Sequence, residues 1–201
     1  MSPIDRRQFA SGLLASSLTA SAQPPATPEH FLLQPNGWMP NNPHLPVLLY
    51  RNAFPHAAAE QTATAMEQAF TANGWPPQWR DGIYTFHHFH STAHEILGIA
   101  AGEVRVTLGG PRSGAGSEQT GHDLTLHAGD VVALPTGTGH CKLSSTPDLL
   151  VIGAYPPGQH WDICRSAPTP DTLEHMRRVA FPASDPVHGP SGPLPNLWRT
   201  T

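Results

Sequence analysis

Apolar positions recur at helical spacing in one stretch of the chain and near every second residue in most of the rest. From about residue 57 to 71, "AAAEQTATAMEQAFT" is built of strong helix formers, with Ala59, Ala63, Met66 and Phe70 on one face. It predicts a helix that ends near Asn73-Gly74. Beyond Trp79 the period shortens. "GIYTFHHFH", "HEILGIAAGEVRVTLGG", "LTLHAGDVVALPTG" and "DLLVIGAY" read as strands separated by Gly, Pro and Asp turns. Ahead of the helix, residues 46–50 predict a short extended stretch, and residues 111–123, "PRSGAGSEQTGHD", predict a loop. A short helix is expected near residues 170–178, with Thr169 able to cap it and Pro170 in its first turn. The tail after it reads as turns and extended chain. Several short strands at this spacing predict an all-β fold, a sandwich or barrel with two short helices.

Composition agrees with a turn-dense β chain of one domain: 201 residues carry 23 Pro and 18 Gly, and only 13% are charged. The 11 basic residues are scattered and the net charge is -4, a balance that excludes a nucleic-acid surface. Residues 1–22 stand apart. Arg6-Arg7 leads a mildly apolar, serine-rich stretch to a small-residue "ASAQ" site, which reads as an export signal. Arg6-Arg7-Gln8-Phe9 resembles the twin-arginine type, although Asp5 and Ala10 depart from its usual residues. The stretch is too short to span a bilayer stably, so no membrane insertion is expected of the mature chain. Export would place the protein in the periplasm, where Cys141 and Cys164 could oxidise; whether they meet is open at this level. Residues 23–36 read as a proline-rich linker and 37–201 as the domain.

The chemistry gathers at "HHFHSTAHE", residues 87–95. In a strand, residues two apart share a face, so His88 and His90 point one way while His87 and Phe89 point the other. Beyond "STAH", either His94 or Glu95 could supply a third ligand. Parity favours Glu95, which is in phase with Leu97 and Ile99, while His94 shares its side with Ile96. His140 follows a strand and a tight Pro-Gly turn that would fold a second wall over the first.

These residues resemble the cupin superfamily. Gly82, His88-Phe89-His90, Glu95 and Gly102 fit the first cupin motif, and Gly129, Pro135-Thr136-Gly137 and His140 fit the second, with Ser144 where Asn is usual. The longer run from Gly37 to Trp198 resembles one bacterial family of single-domain cupins. The resemblance implies a jelly-roll β-barrel with one divalent transition metal near its axis, held by His88, His90, Glu95 and His140. Three imidazoles and a carboxylate favour Fe(II) or Mn(II) and also suit Ni(II), Cu(II) or Zn(II).

Lys142 is the lone lysine and lies two residues after His140, so a regular strand would aim it into the barrel to meet an anion. Glu95 and Lys142 are therefore the candidate catalytic residues. His87, His94, His122 and His127 are expected to be exposed or supporting groups, and Tyr155, Gln159, Trp161 and Asp162 to close one barrel mouth structurally. The favoured function is that of an exported metal-dependent enzyme, of dioxygenase-like type, acting on a small organic molecule. A non-catalytic periplasmic cupin that binds metal or a small ligand, and a sugar or keto-acid isomerase, are the alternatives. A homodimer is compatible with each.

Overall fold

A computed structural model describes residues 27–111 and 121–199. The candidate export signal lies outside the described residues. The fold is mostly β, with few helices. A six-stranded antiparallel sheet runs β1(Glu29–Phe31), β2(Val47–Tyr50), β7(Val131–Leu134), β4(Glu95–Ala101), β9(Leu150–Ala154), β3(Pro77–Asp81) in spatial order. A three-stranded antiparallel sheet runs β6(His122–His127), β5(Glu103–Leu108), β8(His140–Ser145). The two sheets do not join into a closed barrel, so the jelly-roll expectation holds as two facing sheets. Asp185 ties the C-terminal tail down: it is fully buried and accepts from Tyr50 OH (2.6 Å) and the Leu194 N–H (3.1 Å).

Each face of the large sheet has its own cover. Strand β4 is buried along its whole length, and its alternation sorts the side chains. Ile96 and Ala100 join the cluster under α1(Ala59–Ala72), with Met66 and Phe70 of that helix. Leu97 and Ile99 face the small sheet, where Val104, Val106 and Leu126 complete a second cluster. The helix can lie this close because residue 98 is glycine: a Cβ there would stand 2.9 Å from the Met66 sulfur and 3.0 Å from Phe70. The buried face of α1 holds Thr62, Ala63, Met66 and Phe70, so Thr62 takes the place expected for Ala59. Later, α2(Pro170–Arg177) starts as read, with the Thr169 hydroxyl accepting from the Thr172 N–H at 3.1 Å.

Four expectations need correction. The tail, expected as turns and extended chain, closes in a short helix, α3(Leu194–Leu197). The proline-rich segment 23–36 is not all linker, because Glu29–Phe31 forms β1 against β2. The loop expected at 111–123 ends early, since His122 and Asp123 open β6. And "GIYTFHHFH" is not a strand. His88 makes a single bridge with His140 and Phe89 a single bridge with Cys164, so successive residues pair with different segments and no ladder can propagate.

Candidate metal centre

Backbone placement brings three histidines together. The loop between β3 and β4 carries His88 and His90, and its one-residue bridge sets His88 directly against His140 at the start of β8: the His88 N–H donates to the His140 carbonyl at 3.2 Å, and the reverse bond is 2.9 Å. Gly137 makes the turn into β8. It adopts φ +86°, and a Cβ there would stand 2.9 Å from the Asn41 carbonyl oxygen, so glycine is required by both conformation and space. The His88 and His140 rings are 4.0 Å apart, and His90 lies 5.4 and 5.3 Å from them. Potential ligand atoms of all three lie within 4.8 Å of one another.

Their tautomers are fixed by the backbone. Nδ1 of His88 donates to the Phe86 carbonyl (3.1 Å), Nδ1 of His140 to the Thr138 carbonyl (3.1 Å), and Nδ1 of His90 to the Asp162 carbonyl. A carbonyl can only accept, so each Nδ1 carries the hydrogen in the neutral ring and each Nε2 is left with a lone pair. Glu95 completes the centre. Its Oε2 lies 3.3 Å from His90 Nε2 and 3.2 Å from His140 Nε2 and has no hydrogen-bond partner, although the residue is only 2% exposed. Its Oε1 accepts a 2.6 Å hydrogen bond from the Tyr155 hydroxyl, which in turn accepts from Trp79 Nε1 at 2.8 Å.

The electrostatics follow from burial and proximity. Burial and the neighbouring histidines hold His88 down to about 3. Burial likewise lowers His140. Burial would lower His90 too, but the Glu95 carboxylate and the Asp162 carbonyl outweigh it, and His90 is raised. Burial would raise Glu95, yet His90, His140 and the Tyr155 hydroxyl bring it to about 2, so it is an anion at neutral pH. Three lone pairs and one unbonded anionic oxygen converging in a buried site form a donor set that fits a divalent transition ion.

His94 lies on the other side of β4. It is 1% exposed, so of the two places expected for it the exposed one is excluded, and it packs on Trp198 at 4.8 Å in the helix-side layer. Its Nδ1 accepts from the Thr136 N–H at 3.0 Å, which puts its hydrogen on Nε2, the opposite tautomer to the three clustered histidines. His87 is half-buried, and His122 and His127 are exposed. Lys142 is half-exposed and lines the same cleft as His88, His90, Glu95 and His140, a space of about 520 Å³ also walled by Tyr155. Among the described residues no ion pair involves Lys142. Both cysteines are free thiols; Cys164 donates to Asp162 Oδ2 at 3.2 Å.

Sequence reasoning missed two participants. Tyr155, read as a structural plug, holds Glu95, and the Asp162 main chain orients His90. Tyr155 lies one residue beyond β9 and continues the alternation of Val151 and Gly153, which is the signal that could have found it. A carbonyl contact has no sequence signature.

Comparison with known proteins places this geometry. The cupin domain pattern matches residues 81–159, the segment that contains all four converging side chains. YjlB of Bacillus subtilis (strain 168), itself an uncharacterized protein, is 34% identical over 165 residues, covering 81% of this chain and 92% of YjlB. The chain belongs to the cupin family. Similar solved structures are more distant. A DUF861 family protein from Thermotoga maritima is 18% identical over 53% of this chain and 96% of its own, with a TM-score of 0.30. Bacillus subtilis oxalate decarboxylase is 22% identical over 47% of this chain and 24% of its own, also with a TM-score of 0.30. An 11S globulin from Wrightia tinctoria is 19% identical over 42% of this chain, with a TM-score of 0.33, and the cupin spans only 21% of that protein's length.

Proposed function

We propose that this cupin is an exported metal-dependent enzyme of the oxygenase type that acts on a small organic acid. The observation that carries the reading is the convergence of three histidine Nε2 lone pairs and the Glu95 Oε2 in the cleft that Lys142 also lines. His88, His90, His140 and Glu95 would hold the ion, Fe(II) or Mn(II) for preference, and a bound ion of that kind would supply Lewis acidity and one-electron chemistry. The chain's own part is positional and electrostatic. Backbone carbonyls fix the three imidazoles, Glu95 removes one unit of positive charge, and the Lys142 ammonium, which pairs with no carboxylate among the described residues, gives a carboxylate substrate a counter-charge.

The test is oxygen consumption by metal-loaded protein across a panel of small carboxylic and enolisable acids, run beside Lys142→Met. Wild type is expected to consume oxygen with at least one acid. Lys142→Met should keep its metal while binding that acid about 1.5 to 3 kcal/mol more weakly, the range for a charged hydrogen bond. Acid binding without turnover or oxygen uptake would make the protein a binding cupin, and oxygen-free conversion of a sugar or keto acid would make it an isomerase.

Export by the twin-arginine route belongs to the same proposal, because a chain that folds before crossing the membrane takes its metal in the cytoplasm. Changing Arg6 and Arg7 to lysine should leave uncleaved, folded precursor in the cytoplasm. Normal periplasmic accumulation of that variant, measured by fractionation, would remove this part of the reading.

A further inference from the structure

Glu95 has two oxygens, and the structure gives them different work. Oε2 faces His90 and His140 at 3.3 and 3.2 Å with no hydrogen-bond donor of its own. Oε1 is occupied by the Tyr155 hydroxyl at 2.6 Å, and that hydroxyl is held by the Trp79 indole N–H at 2.8 Å. The chain is buried at its inner end: Tyr155 is 1% and Glu95 2% exposed, and the Tyr155 ring is stacked on Trp161 at 6.0 Å. Trp79 lies directly over Gly153, so close that a Cβ there would overlap its ring at 1.9 Å. A phenol with its oxygen fixed by an indole donor has its own hydrogen committed to the carboxylate. Turning Oε1 toward the histidine cluster would break that bond and leave a buried hydroxyl without an acceptor.

We propose that Tyr155, locked by Trp79, is a positioning residue that confines Glu95 to a single-oxygen ligand and so keeps a coordination position free for substrate on the cleft side of the centre. This rests on the metal-site reading above. Three imidazole nitrogens and one carboxylate oxygen leave two positions of an octahedral ion open, whereas a carboxylate turned to offer both oxygens would close one of them. The cleft wall carries the means to use an open position, because Lys142, Tyr155 and the ligand set share it.

The experiment uses the full mature chain loaded with Co(II), whose visible d–d absorption weakens as coordination number rises, and separately with Mn(II), whose effect on water-proton relaxation counts exchangeable bound waters. Tyr155→Phe keeps the ring and removes the hydroxyl. It is expected to bind one ion per chain as wild type does, with weaker Co(II) absorption and about one fewer exchangeable water on Mn(II). Trp79→Phe, which frees the phenol to rotate, should move both signals in the same direction and serves if Tyr155→Phe does not yield folded protein. Unchanged spectra and water counts in a variant that binds metal normally would overturn the proposal, as would loss of the ion altogether, which would mean that the hydroxyl supports Glu95 as a ligand rather than limiting it. Failure of wild type to bind either ion would instead overturn the metal-site reading, so the two failures are distinguishable.

Discussion

Replacing any one of His88, His90, His140 or Glu95 with alanine should take the protein from about one bound ion per chain to almost none at saturating metal, while His87→Ala and His94→Ala keep their ion. His88, His90 and His140 bring ligand atoms within 4.8 Å of one another and Glu95 Oε2 lies 3.3 and 3.2 Å from His90 and His140, so each removal deletes one donor of a small set. His94 is excluded by direction and by tautomer. It lies across β4 from Glu95, and its hydrogen-bearing Nε2 has no lone pair to offer. Loss of His94 could still weaken binding by ~10-fold, because its neighbour in the chain is Glu95 and Thr136 hydrogen-bonds both His94 and the His90 carbonyl. Stoichiometry by elemental analysis at saturation is therefore the deciding measurement. An empty His94→Ala beside a fully loaded Glu95→Ala would mean that the ligand set is four histidines and that β4 is shifted by one residue.

The pairing of His88 with His90 and the side taken by Glu95 were legible from short-range rules, whereas His140 came from the resemblance to the cupin motifs and is placed by a bridge to His88 52 residues away. Alternate residues share a side even where the strand is imperfect, and Glu95 is fixed by the same parity that sends Leu97 and Ile99 toward the small sheet. Helix α1 was legible for the same reason: its apolar residues repeat at 3.6. What was not legible depends on distant partners. Strand β3, "PQWRD", alternates over only five residues with two apolar positions, Pro77 and Trp79, too short a pattern to read alone, and it is fixed by pairing with β9 about 70 residues later. Strand β1 sits in a proline-rich stretch that reads as linker until β2 is there to receive it. The Tyr155–Glu95 bond joins residues 60 apart, and the His90–Asp162 contact uses a main-chain carbonyl that any residue would supply. The candidate ligands were named by the resemblance to the cupin motifs, whereas the groups that orient them belong to the tertiary fold.

Acid should destabilise the metal-free protein well before its carboxylates titrate, and His94 isolates the cause. Burial holds His94 down to about 3, against 6.5 for an ordinary histidine. The folded state keeps this ring neutral while the unfolded chain protonates it, so its contribution to stability is complete above about pH 6.5 and is lost as pH falls toward 3. Between pH 6 and 4.5 this one residue should cost about 2 kcal/mol, or roughly 4 to 8 °C in melting temperature for a chain of this size. His88, also held down to about 3, acts in the same direction, as do the lowered His87 and His140. The other two groups of the centre are nearly flat in this window. His90 is raised, so its stabilisation is already present below about 6.5 and is lost only as pH rises. Glu95 is lowered to about 2, so its stabilisation persists above about 4.5 and fails only in stronger acid. Thermal melts in chelator at pH 6 and 4.5 should therefore separate clearly for wild type. His94→Phe fills the space beside Trp198 but strands the Thr136 N–H, so it should melt lower at pH 6 and lose less on going to 4.5. An equal drop in wild type and His94→Phe would show that the buried ring at 94 does not resist protonation, and would move the acid sensitivity to the histidine cluster across the strand.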